Sequence, residues 1–266
     1  MPASNNLRLD PSRTATLQRA MGRELMRRLV RLVGKLSDQI RDVAGSVTAS
    51  DGWVRSRSDT AAEIIQEFEV GLFREILTVP NPFRDVWWQP HLEKAYLLGI
   101  VRAYNEARPG RGKSAPKDFT DQAYFRDQFK VIVLGFRTEI QGITTKLTQE
   151  ISRAIRATHD TTDSFARLAS SLRFLVGPLR DRVGTLTRTE LVRAQAAGQV
   201  DAYQSLGVPG IVGIPERPNN QTACGRCNAL AGKVYTPQEA RGVIPVHPRC
   251  RCAWRIAVKT RRPYAR

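Results

Sequence analysis

With 266 residues, the chain has room for one large domain or two smaller ones, each able to bury a core. Its formal net charge of +17, from 42 Lys and Arg against 25 Asp and Glu, favours an anionic partner. No run of 18 apolar residues marks a membrane span.

Residues 1–57 read as a basic amphipathic N-terminal helix or arm. From Ser12 the apolar positions run Leu17, Met21, Leu25, Leu29, Leu32, Leu36, Ile40 and Val43, in steps of three or four, which predicts a long helix with one buried face. Arg19, Arg23, Arg27, Arg31 and Lys35 recur every fourth residue on the other side. Like charges at that spacing repel slightly, so the stripe suits a polyanion or an acidic neighbour, with a solvated face as the plain alternative.

Residues 58–207 read as a helical body. A polar break at 46–58 precedes a helix over Ser58–Leu77 with Ile64, Phe68, Leu72 and Ile76 on one side, and Val79-Pro-Asn-Pro-Phe83 interrupts it. His91–Ala107 is a further helix. The basic loop 108–117 ends in Gly112-Lys113-Ser114, but Ala107 stands where a phosphate-binding loop needs its first glycine and Pro109 removes a backbone donor, so nucleotide binding is excluded. Phe125, Phe129, Ile132 and Phe136 predict one buried helix face, continued by Ile140–Ile155. Asp160–Asp163 reads as a turn and Gly177-Pro178 as a break. Thr187-Arg-Thr-Glu190 reads as a capping box opening a helix through Tyr203.

Residues 208–258 differ in kind. A β-leaning, Gly-rich stretch leads to Cys224-Gly-Arg-Cys227. A short apolar strand, Val243–Val246, precedes His247-Pro-Arg-Cys250-Arg-Cys252, and Ala253–Val258 is a candidate closing strand. The basic tail 259–266 carries Arg261 and Arg262, and no acidic residue follows Glu239. The fold class expected is mainly α: a multi-helix body with a small α/β, zinc-finger-like C-terminal module.

Cys224, Cys227, His247, Cys250 and Cys252 are five donors for the four corners of a tetrahedral Zn²⁺ site, and His247 and Cys252 compete for the last. The alternative is a pair of disulfides. The N-terminus MPASNNLRLD has no apolar signal region, and a chain made in the cytosol favours metal. With at least four good ligands, no coordination position is left open for water, so the zinc is expected to be structural. No His-Glu-x-x-His helix or carboxylate pair accompanies it, and His91 and His159 stand alone, so no enzyme is expected.

Two stretches taken together carry a family resemblance. One is Leu186-Thr-Arg-Thr-Glu-Leu-Val-Arg-Ala194 followed by Asp201-Ala-Tyr203. The other is Cys224-x-x-Cys227, then Leu230-Ala-Gly232, then Pro245-x-His247-Pro-x-Cys250-Arg-Cys252. In this order the C-terminal half resembles the phage head morphogenesis family of Mu F-like minor head proteins. It departs from many members between helix and first knuckle, where Ile211-Val-Gly-Ile-Pro-Glu-Arg217 replaces a segment with Trp and Asp. The resemblance implies a non-catalytic minor capsid protein of a tailed phage, made in the host cytoplasm and placed in the virion, inside the capsid or at the portal vertex. Its implied partners are the portal protein or inner capsid surface, packaged DNA bound without sequence preference, and copies of itself. The competing expectation is a zinc-dependent nucleic-acid-binding protein or nuclease acting in the host cell.

Overall fold

The computed structural model describes residues 12–46, 53–77, 86–107, 122–157, 162–215 and 223–257. The Pro-rich segment 79–83, the basic loop 108–117, the turn at 160 and the tail with Arg261 and Arg262 lie outside the described residues.

The protein is mainly helical, with a small α/β module at its C-terminal end that holds the Cys/His cluster. In chain order the helices are α1 (Ala15–Ser46), α2 (Trp53–Leu72) closing in a π-helical turn (Phe73–Leu77), α3 (Gln89–Ala107), α4 (Ala123–Ala157) and α5 (Thr162–Ser205). Then follow β1 (Ile211–Ile214), the one-turn α6 (Gly225–Asn228), β2 (Val234–Tyr235), the one-turn α7 (Pro237–Ala240) and β3 (Ala253–Ile256). No helix among the described residues is long and apolar enough to cross a membrane.

The chain divides into two compact units that do not follow chain order. One comprises Ala20–Trp87 and Gly135–Gly184; the other comprises Met1–Arg19, Trp88–Leu134 and Thr185–Arg266. In the first, the expected apolar face of α1 is buried: Met21, Leu25, Leu29, Leu32, Leu36 and Ile40 are all under 5% exposed. Phe68, Leu72 and Ile76 are buried from α2 and its π turn, Leu147, Ile151 and Ile155 from α4, and Leu172, Leu179 and Val183 from α5. At roughly 1.5–3 kcal/mol for each large aliphatic side chain, this burial dominates the unit's stability. Ser37 adds one buried polar tie, its hydroxyl donating to the Ala169 carbonyl at 2.9 Å.

In the second unit, α3 and α5 cross backbone to backbone at two glycines. A Cβ on Gly99 would lie 2.0 Å from the Gln195 carbonyl oxygen, and one on Gly198 would lie 2.1 Å from that of Tyr96. The sheet has order β2-β1-β3, all antiparallel, with Ile211 opposite Tyr235 and Ile256, and Gly213 opposite Trp254. Trp254 and Ile211 are fully buried on its inner face, where Tyr235 meets Trp254 edge-on at 5.4 Å.

Four sequence expectations need correction. Gly177-Pro178 does not break the chain: Pro178 lies inside continuous α5. A proline there costs about 3 kcal/mol, but Leu172, Leu179 and Val183 share a buried face across it and offset that cost. For the same reason Thr187–Glu190 opens no helix. Thr187 and Glu190 are buried in mid-helix, and Glu190 pairs with Arg193 at 2.7 Å. Val243–Val246 forms turns rather than a strand, as Pro245 has no N–H to give a ladder. Finally, α2 starts at Trp53, inside the expected polar break.

Candidate metal centre

The two knuckles are local structures before they are a site. In the first, Cys224 is the N-cap of α6, and its sulfur accepts the Cys227 amide N–H at 3.4 Å. The Asn228 side-chain Nδ2 donates to the Ala223 carbonyl at 2.8 Å, closing the loop. In the second, the Cys250 amide donates to the His247 carbonyl at 3.1 Å, a four-residue turn with Pro248 and Arg249 at its centre. Arg249 has a φ of 63°. A left-handed residue after a proline is the pattern of a type II turn, where glycine is usual, and an L side chain there costs about 1–2 kcal/mol. The Cys252 amide then donates to the Cys250 sulfur at 3.4 Å.

The tertiary fold brings all five donors together. The donor atoms of Cys224, Cys227 and His247 lie within 4.8 Å of one another, as do those of Cys227, Cys250 and Cys252. Cys227 is common to both groups. His247 Nε2 lies 3.4 Å from the Cys224 sulfur and 3.1 Å from that of Cys227. Bonds of about 2.0–2.3 Å to a tetrahedral zinc would separate donors by roughly 3.4–3.8 Å, so small shifts complete the polyhedron. His247 Nδ1 donates to the Pro248 carbonyl at 2.7 Å, the tautomer that presents Nε2 to a metal. In this structure all four cysteines are free thiols.

Burial pushes the Cys227 thiol up to about 12, whereas the hydrogen bond with Cys252 holds Cys250 down at about 5. The Cys227 amide lowers Cys224. Burial opposes protonation of His247, but its bond to the Pro248 carbonyl and the charge at Cys250 and Cys224 raise it overall. Negative charge is thus favoured at Cys250 and Cys224, where a divalent cation would find thiolate ligands. The residues present therefore fit a bound metal ion, and a soft-donor set of this kind suits Zn²⁺.

Helix α5 holds the module by polar groups at successive levels. Thr189 accepts the Arg249 amide at 3.1 Å, and Thr185 accepts Arg249 Nε at 2.8 Å. Gln199 bonds both the N–H and the carbonyl of Trp254, at 3.0 and 2.8 Å, as a neighbouring strand would. Asp201, fully buried, pairs with Arg241 at 2.6 Å and accepts the Tyr96 hydroxyl. Arg241 also reaches Gln128 at 2.8 Å and Gln204 at 3.0 Å. Tyr203 donates to Glu106 at 2.6 Å, whose other oxygen accepts the Ile256 amide at 2.9 Å. Burial raises the Asp201 carboxyl above its ordinary value, although Tyr96 and Arg241 counter it.

None of these tethers was identified as a site residue from sequence. The only available signal was polar residues on the buried side of a helix: Thr187, Glu190, Gln195, Gln199 and Asp201. The arginine stripe is where the period predicts, with Arg19, Arg23, Arg27, Arg31 and Lys35 all exposed. Three of the five have acidic partners, however: Arg27 with Glu24, and Arg31 and Lys35 with Glu75 at 3.7 and 3.5 Å.

Comparison with protein-family models, with curated proteins and with solved structures finds no match to this chain.

Proposed function

We propose that the chain is a non-catalytic minor head protein of a tailed bacteriophage, acting at or near the portal during head assembly and DNA packaging, with a structural zinc in its C-terminal module. One observation carries this reading. The two stretches that resemble the head morphogenesis family, far apart in sequence, are joined through Thr189 and Arg249, and the ties of Gln199 to Trp254 and of Asp201 to Arg241 connect the same helix and module beside them. A signature whose halves hold each other is a structural signature. Two groups of three donors that share Cys227 offer enough ligands for a closed structural site, which supports a non-catalytic role. The virion is the expected location, and the portal or inner capsid surface the expected partner.

Co-expression with a portal protein of the same phage tests the assignment. A co-purifying complex supports it. A chain that binds no portal protein and cleaves DNA in a zinc-dependent way overturns it.

The second reading, a zinc-dependent nucleic-acid-binding protein of the host cell, is favoured by the exposed Arg19 and Arg23 and the basic termini. Binding through these groups would be sequence-independent and fall steeply with salt.

A further inference from the structure

We propose that Thr185 and Thr189 of α5 are positioning residues for the metal centre, acting through Arg249 to set the spacing of His247 and Cys250. The inference rests on the metal reading above and names what shapes the second knuckle.

His247 and Cys250 are the first and last residues of one four-residue turn, closed by the Cys250 N–H to His247 carbonyl bond at 3.1 Å. In such a turn the distance and orientation of the end residues follow from the dihedrals of the two central ones. Pro248 has its φ restricted by its ring. Arg249 is therefore the adjustable element, and it sits at a φ of 63°, where an L residue is strained and a glycine is not.

What holds it there is α5. Thr185 and Thr189 are four residues apart, so both hydroxyls lie on one helix face. They grip a single residue twice, the main chain through Arg249 N–H to Thr189 at 3.1 Å and the side chain through Nε to Thr185 at 2.8 Å. The grip is oriented: the Thr189 hydroxyl donates to the Thr185 carbonyl at 2.7 Å, so its lone pairs face the Arg249 amide. In a turn of this kind the N–H of the third residue has no partner within the turn, and Thr189 supplies one. The same turn also provides the Pro248 carbonyl that fixes the His247 tautomer at 2.7 Å. Two threonines outside the ligand set thereby govern both where His247 stands and which nitrogen it presents.

Metal affinity and geometry test this in the full-length protein, using Zn²⁺ competed against a chelator and the visible absorption of the Co²⁺-loaded form. Thr189→Val should weaken Zn²⁺ binding about 10-fold, the scale for groups that orient metal ligands, and shift the Co²⁺ bands. Thr189→Ser should restore both. Arg249→Gly should bind more tightly than Arg249→Ala, since glycine needs no grip to hold a positive φ. Arg249 is exposed, so this pair carries the test if Thr189→Val does not fold. Equal affinity and an unchanged Co²⁺ spectrum in Thr189→Val and Arg249→Ala would overturn the positioning role while leaving the metal reading intact. A wild-type protein that takes up neither ion would overturn the metal reading itself.

Discussion

The two compact units are held by opposite means. In the unit of Ala20–Trp87 and Gly135–Gly184, four helical segments bury aliphatic side chains, and the described ion pairs lie at the surface, as between Arg182 and Glu150 at 3.1 Å. In the other unit, polar groups are taken out of water, several of them against named partners: Asp201 meets Tyr96 and Arg241, Gln199 the Trp254 backbone, and Glu106 Tyr203 and the Ile256 amide. Apolar burial tolerates rearrangement at modest cost. A buried polar network does not, because a missing partner leaves an uncompensated group. The module should therefore be the more specific and the more brittle half.

Removing the metal tests this contrast most severely. Purified protein should carry about one zinc. Stripping it, or replacing Cys227 or Cys250 with Ser, should unfold the region after Gly207, a loss on the order of 10 kcal/mol on the scale of small zinc modules. Helical circular dichroism should largely persist, because the aliphatic unit does not use the metal. Collapse of the whole helical signal would refute the contrast.

Glycines offer a second, smaller test. Gly99→Ala or Gly198→Ala should destabilise by about 3 kcal/mol or more, since each Cβ would meet a backbone carbonyl that cannot move aside. Gly34→Ala or Gly142→Ala, with nothing within 4 Å, should instead stabilise by about 0.5–1 kcal/mol. Thermal melts of the four variants would show the sign reversal or its absence.

Asp201→Ala should cost about 2–4 kcal/mol by stranding Arg241 and Tyr96, and Asp201→Asn less. Burial places the native Asp201 pKa above its unfolded value near 4, so the folded state holds the proton more firmly. Wild-type stability should therefore fall, relative to Asp201→Asn, as pH rises from about 4 through the raised native value, and the gap should then stay constant. Denaturant titrations across that range check the sign.

The smallest effect is expected at the arginine stripe. Glu75→Gln should change stability by less than about 1 kcal/mol, as Arg31 and Lys35 reach it from the surface. It should nevertheless strengthen and steepen any salt-dependent DNA binding by releasing two cations. A gel-shift series in salt measures both.

The aliphatic unit was largely legible in the sequence. Met21 to Ile40 and Phe136 to Ile155 repeat at the helical period, and that period alone decides which side is buried. Punctuation misled more than pattern did. Gly177-Pro178 and Thr187–Glu190 look like a stop and a start, yet α5 runs through both because local signals of a few kcal/mol yield to a shared buried face.

Within the candidate site, the sequence determined the donors. Cysteine and histidine at knuckle spacing announce ligation wherever the rest of the chain goes, and the structure gathers all five of those residues. Tertiary structure decided how they are held. That Thr189 faces Arg249, that Gln199 stands in for a β-strand, and that Asp201 is buried against Arg241 depend on where residues 40 to 60 positions apart meet. Hydrogen bonds of that kind carry no periodicity, since each needs only one donor and one acceptor that packing has brought within about 3 Å.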